Sequence, residues 1–187
     1  MRQQTSLPRL FAVPQLALAV FALGALAALT FAAPAATVAQ GPAAAPAPAP
    51  APMVKRHIYS ETADPKADIA AAIQQARKEH KRVLLDFGGD WCGDCQVLDI
   101  YFHQSPNDAL LSANYVLVHV WIGHIDKNLD IPEKYGVAIK KGVPALAVVD
   151  AKGKTVFAQQ TGEFEDMRHM DAKSVTDFLE KWKLSHA

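Results

Sequence analysis

The chain has 187 residues, half of them hydrophobic, with 19 basic and 19 acidic side chains and two cysteines. The even charge balance, with no basic stripe, argues against a nucleic-acid partner. Two cysteines are too few for a framework of structural disulfides.

In chain order, the apolar residues come first. No charged residue occurs from Phe11 to Ala39, and Met1, Arg2 and Arg9 precede that run without an acid. A basic start, an apolar run and then small residues read as a secretory signal, with candidate cleavage sites at Ala33–Ala35 and Thr37–Ala39. The run is also nearly long enough for an uncleaved anchor, which takes about 20 residues, although its many alanines gain little from leaving water. Either way Arg2 and Arg9 stay cytoplasmic and the rest is exported. The expected location is periplasmic or extracytoplasmic, with the membrane touched only through this segment if it is uncleaved. No cysteine follows the run, which argues against a lipid anchor. Gly41–Pro52 is built of proline and alanine and favours extended polyproline II. At about 3.1 Å per residue it reaches roughly 35 Å and acts as a spacer. The expected organisation is a signal or anchor over 1–39, a linker over 40–54 and one domain over 55–187. The exported part is slightly acidic, with 17 basic against 19 acidic residues.

Within that domain helix and strand signals alternate. Asp64–Pro65 is an N-cap followed by proline at the first helical position. Ile69, Ala72, Ile73 and Ala76 then recur at helical spacing up to Lys81. Val83–Phe87 is a nearly all-apolar run, as in a strand covered on both faces, and Gly88–Gly89 break it. Helical signals resume at Cys92 and run through Val97, Leu98, Tyr101 and Phe102. Ala109–Leu111 is a further short helical turn. Tyr115–Ile122 is a second buried strand, and Pro132–Tyr135 a short helix ended by Gly136. Ala145–Val149 and Thr155–Ala158 flank the turn Asp150–Gly153 and form a hairpin. Asp171–Trp182 closes the domain as an amphipathic helix with Val175, Phe178, Leu179 and Trp182 on one face. This order predicts an α/β fold, a central mixed β-sheet flanked by helices.

Cys92 and Cys95 lie in Gly89-Asp-Trp-Cys-Gly-Asp-Cys-Gln-Val-Leu-Asp99. Cys92 follows a strand and a Gly-Gly break at the start of a helix, where free N–H groups and the helix dipole favour an anion. Its thiolate is stabilised there, so Cys92 is the expected nucleophile and the expected exposed thiol. Cys95, three residues on and deeper, is the expected resolving thiol, able to attack a mixed disulfide held on Cys92. Zinc takes four ligands and this pair supplies two, so no metal and no cofactor are expected. Asp94 places a negative charge between the thiols. That opposes the Cys92 thiolate and predicts a reducing pair. Asp90, Asp94 and Asp99 also read as simple first-turn acids, and Met167–Met170 as a solvated loop.

The segments LLDFGGDWCGDCQVLD and KKGVPALAVVD resemble the thioredoxin family, and in detail exported thioredoxin-like domains such as the C-terminal domain of DsbD. The likeness covers roughly 69–182. It implies a thioredoxin-like fold and a thiol–disulfide oxidoreductase, in the direction of a protein-disulfide reductase. The family's Trp-Cys-x-x-Cys motif falls on Trp91, Cys92 and Cys95. Its buried acid falls on Asp86, its cis-proline on Pro144 after Val143, and the glycine after its last strand on Gly162. Trp91, Val143, Pro144 and Gly162 are thereby implied to line the partner groove. Asp86, inside an apolar strand, suits a group that takes the proton of Cys95 as that thiol attacks. His119 is the nearest match to the family's basic residue beside the acid, and a plain core histidine is the other reading. His103, His124 and His169 receive no role. Asp94 departs from thioredoxin, which has proline there. The implied partners are exported proteins bearing a disulfide or dithiol, and an upstream electron donor. Two other function classes stay open at this point: a thiol protein of metallochaperone type for copper or haem-protein assembly, and a redox-inert peptide-binding module.

Overall fold

The computed structural model describes residues 55–185. The predicted leader and Pro/Ala linker, residues 1–54, lie outside the described residues, as do the last two residues of the predicted domain.

Helix α1 spans Pro65–Glu79. The Asp64 carboxylate accepts from the backbone N–H groups of Lys66 and Ala67 at 3.0 and 3.2 Å, which satisfies two of the donors a helix start leaves free. The helix ends two residues before Lys81, because His80 turns into the left-handed region at φ 54°. Strand β1 is Arg82–Gly88 and helix α2 is Gly93–Phe102. Helix α3 is Asn107–Asn114, a full eight residues where the sequence predicts one short turn. Strand β2 is Tyr115–Trp121 and helix α4 is Asp130–Tyr135, closed by Gly136 at φ 77°. Strands β3, Ala145–Val149, and β4, Thr155–Ala158, have the predicted bounds. Helix α5 is Ala172–Trp182. Two 3-10 helices, Ile139–Lys141 and Met167–His169, are not foreseen, since three residues are too short to carry a periodicity.

The sheet order is β2-β1-β3-β4. β1 runs parallel to β2 and antiparallel to β3, which pairs antiparallel with β4, so the sheet is mixed as predicted. Alternation along the strands feeds two cores. Val83, Leu85, Phe87, Ala145, Ala147 and Val149 face one cluster, with Ile69, Ala72 and Ala76 of α1. Leu84, Leu146 and Val148 face the other, with Leu98 and Phe102 of α2 and Val175, Phe178 and Leu179 of α5. Each of the larger of these side chains (Val, Leu, Ile, Phe) stabilises the fold by about 1.5–3 kcal/mol relative to exposure. β1, central and covered on both faces, ends at the site, and α2 starts there.

Candidate active site

Four residues after the end of β1, Cys92 forms the N-cap of α2 with extended backbone. Its Sγ accepts from the Cys95 backbone N–H at 3.1 Å, so the helix start is aimed at this sulfur. Cys92 and Cys95 are joined in a disulfide with Cα atoms 5.2 Å apart. The Val143–Pro144 peptide bond is cis, as the sequence predicts, and the Val143 carbonyl oxygen lies 3.5 Å from Cys92 Sγ. Cys92 is more accessible than Cys95, but only at 5% against 0%. This corrects the expectation of an openly exposed Cys92. Its sulfur is bonded inwards to Cys95 and lies against the Val143–Pro144 segment, so a partner thiolate has one narrow approach to Cys92 and none to Cys95.

Asp86 is fully buried on β1, opposite His119 in the parallel register with β2. Its Oδ2 accepts from the Tyr59 hydroxyl at 2.7 Å and pairs with His119 Nδ1 at 2.9 Å. Its Oδ1 has no partner. Burial works against a charged His119, but the bond to Asp86 and that carboxylate's charge outweigh it, aided by Asp99 and Asp90. The His119 pKa is therefore raised above its ordinary value. Burial above all, and then the Asp86 charge, push the Tyr59 hydroxyl well above the usual phenol range, so it stays a neutral donor.

The acids of the active-site segment are not simple first-turn acids. Asp99 is 2% exposed, and its Oδ2 meets the Arg56 guanidinium at 2.6 Å. Asp90 accepts the backbone N–H groups of Ile58 and Tyr59 at 2.9 and 3.0 Å and pairs with His57. Burial opposes the Asp90 charge, yet the backbone donors of Tyr59 and Ile58 and the His57 ring hold its carboxyl below the usual range. Gln96 exchanges two 2.9 Å hydrogen bonds with the Arg56 backbone. The stretch Arg56–Tyr59 is thereby strapped across the start of α2. Sequence reasoning missed Arg56, His57 and Tyr59, which precede α1 and show no periodicity.

Asp94 is 8% exposed. Its Oδ1 accepts from the Arg168 backbone N–H at 2.9 Å, and its two oxygens meet Arg168 Nε at 3.1 and 3.2 Å. Arg168 Nη2 lies 3.0 Å from Asp94 Oδ2. This overturns the reading of Asp94 as a lone charge beside Cys92, because a guanidinium neutralises it. It also overturns the reading of 167–170 as a solvated loop, since Met167 is fully buried. Arg168 packs over Gly93, next to Cys92 in the chain. Removing one partner should expose the charge of the other. Arg168→Gln should disfavour the Cys92 thiolate and make the pair more reducing, and Asp94→Asn should do the opposite. Arg168 is largely exposed, so screening limits each shift to about 10–30 mV. Redox equilibrium with glutathione measures both, and shifts of the same sign would contradict the pairing argument.

The rim is built from four elements. Trp91, 38% exposed, donates from Nε1 to the Gly123 carbonyl at 2.6 Å and stacks on His124 with ring centroids 5.0 Å apart. His124, given no role from the sequence, therefore fixes the indole beside Cys92. Val143 and Pro144 are buried and form the facing wall. Gly162 follows β4 at φ 79°. The side chain of Glu165 fills the space where a Cβ on Gly162 or Gly142 would stand. The groove at Gly162 is thus lined by Glu165 as well as by glycine backbone. Among the described residues no three His, Cys, Asp or Glu side chains group in a way that could hold a metal ion.

A disulfide closed at a helix start, faced by a cis-proline and backed by a buried acid, defines a protein built for thiol–disulfide exchange. A family model described as thioredoxin-like matches residues 64–151. A thioredoxin from Chlorobaculum thiosulfatiphilum is 28% identical over 99 residues, covering 53% of this chain and 81% of that protein. The crystal structure of a disulphide isomerase from Xylella fastidiosa Temecula1 superposes with a TM-score of 0.65 at 33% identity, over 68% of this chain and 98% of that one. The oxidised C-terminal domain of DsbD from Neisseria meningitidis gives a TM-score of 0.42 at 19% identity, over 63% and 96% of the two chains. The chain belongs to the thioredoxin-like family of disulfide oxidoreductases.

Proposed function

We propose that this protein is an exported thiol–disulfide oxidoreductase that reduces disulfides of periplasmic or other extracytoplasmic proteins. The observation that carries the chemistry is Cys92 itself. It caps α2, accepts the Cys95 N–H, and forms a disulfide with a Cys95 that solvent does not reach. In the reduced pair the Cys92 thiolate attacks one sulfur of a partner disulfide. A Cys92–partner bond forms, and the other partner sulfur leaves as a thiolate that takes a proton from solvent. Cys95, its proton passed towards Asp86, then attacks Cys92 Sγ. The Cys92–Cys95 bond forms and the second partner sulfur leaves, so the partner gains two electrons and the pair loses two. An upstream dithiol returns the pair to its reduced form. Trp91, Val143, Pro144 and Gly162 line the groove that holds the partner chain.

Export is supported by the basic, apolar and small-residue order of 1–39. The reducing direction is supported by the lack of a cation within the Gly93–Asp94 dipeptide, since a cation there would stabilise the Cys92 thiolate and favour the dithiol form. Asp86, Asp90, Asp94 and Asp99 each have a basic partner, so their charges add little. Redox equilibrium with glutathione tests the direction. A potential near thioredoxin's, about −270 mV, supports the reductase, and one near that of the oxidant DsbA, about −120 mV, reverses it. A second reading, disulfide isomerisation, is favoured by the description of the Xylella protein as a disulphide isomerase. The same thiolate starts it, but the partner keeps its disulfide in a new place. Reactivation of a scrambled multi-disulfide substrate without added reductant would establish that reading instead.

A further inference from the structure

Tyr59 stands before the matched family region of 64–151, yet its side chain is fully buried. Its hydroxyl donates its single proton to Asp86 Oδ2 at 2.7 Å and keeps its lone pairs as acceptors. His119 Nδ1 engages the same carboxylate oxygen from β2 at 2.9 Å. Gly88 follows Asp86 by two residues. A Cβ on Gly88 would lie 2.6 Å from the Tyr59 hydroxyl oxygen and 2.8 Å from Cys95 Sγ. The phenol oxygen and the Cys95 sulfur thus both stand within 3 Å of the one point where a Gly88 side chain would begin, and the phenol is hydrogen-bonded to Asp86.

We propose that Tyr59 is a catalytic residue of the resolving step, its hydroxyl relaying the Cys95 proton to Asp86. The proposal rests on the reading of Cys92 as the attacking thiol and Cys95 as the resolving one. In the mixed disulfide the Cys95 S–H gives its proton to the Tyr59 oxygen while the Tyr59 O–H proton passes to Asp86. The Cys95 thiolate attacks Cys92 Sγ, the Cys92–partner bond breaks, and the partner sulfur leaves with the bonding pair. Asp86 passes the proton on once the exchange is complete, which leaves it the charged carboxylate of the oxidised pair, and a proton returns by the same path when the pair is reduced again and Cys95 leaves as a thiolate. His119 fixes the carboxylate so that Oδ2 faces the phenol. The other charged groups around this path are Asp90, bound to the Ile58 and Tyr59 backbone, and Asp99, paired with Arg56.

The test uses the full chain, reduced and mixed with a model peptide disulfide. Stopped-flow quenching and mass measurement follow formation and resolution of the Cys92 adduct separately. Tyr59→Phe keeps the ring and removes the relay. Its adduct should form at the wild-type rate and resolve at least about tenfold more slowly near neutral pH. The gap should narrow at high pH, where the Cys95 thiol is already ionised before it attacks and no relay is needed. Asp86→Asn should slow the same step, and the double variant should be no slower than the slower single one. In the wild type, deuterated water should slow resolution but not adduct formation. Resolution at the wild-type rate in Tyr59→Phe, a defect equal at every pH, or no isotope effect on resolution would overturn the relay. If no adduct forms on Cys92 at all, the roles assigned to the two cysteines fail instead.

Discussion

Cys92→Ser is expected to bring disulfide reduction down to the uncatalysed rate, and Cys95→Ser to stop the reaction after one attack. Serine at 92 keeps the helix cap and accepts the Cys95 N–H, so the fold should survive while the nucleophile is lost. At 95 the buried sulfur, 0% exposed, cannot be replaced by a solvent thiol of the same reach. The Cys95→Ser protein should therefore accumulate one partner per chain, linked through Cys92 and released by added dithiol. Turnover of a fluorescent peptide disulfide checks the first result, and non-reducing mass measurement checks the second. Appreciable turnover by Cys92→Ser would mean that Cys95 can start the reaction, against the burial order. Expressed as the full 187-residue chain, the Cys95→Ser protein should also test the proposed export, by holding exported proteins as covalent adducts.

Two glycine-to-alanine changes near the pair should behave in opposite ways. A Cβ on Gly88 would meet Tyr59 and Cys95 at under 3 Å, both in the buried centre of the site. Neither can swing out to solvent, since both are fully buried. Gly88→Ala should destabilise the protein by about 1–3 kcal/mol, the usual range for overpacking. It should also slow resolution, because the Tyr59–Asp86 geometry is pushed apart. The nearest atoms to a Cβ on Gly93 would be those of Arg168, at 3.7 Å, which is ordinary contact. Gly93 is the first residue of α2, so Gly93→Ala should leave stability unchanged or raise it by about 0.4–1 kcal/mol through the unfolded chain. Urea unfolding of the two variants against wild type measures the contrast. Equal stability of Gly88→Ala and wild type would show that the site is looser than its packing implies.

The strands and the pair were legible because their signals are local. Val83–Phe87, Ala145–Val149 and Thr155–Ala158 each announce themselves by composition and flanking turns, and the strands found match them within a residue at either end. Cys92 was placed by what precedes it, a buried strand and two glycines. The electrostatics of the site were not legible. Asp94 draws its partner from 74 residues downstream, and Asp86 draws Tyr59 from 27 residues upstream. Such pairs leave no period or motif in the sequence, and each acid looks solvated until its partner is known. His119 is intermediate: the strand was readable, but its facing Asp86 depends on the parallel register of β1 and β2. The accessibility of Cys92 was misjudged because the Val143–Pro144 segment reaches it from 51 residues away.

The proposed exchange makes Cys92 the reactive thiol and Cys95 the protected one. Brief alkylation of the fully reduced chain with iodoacetamide at mildly acidic to neutral pH, followed by peptide mass analysis, tests it most directly. Modification should appear on Cys92 first, with Cys95 untouched until the protein is unfolded. Equal labelling of the two, or labelling of Cys95 first, would contradict the account.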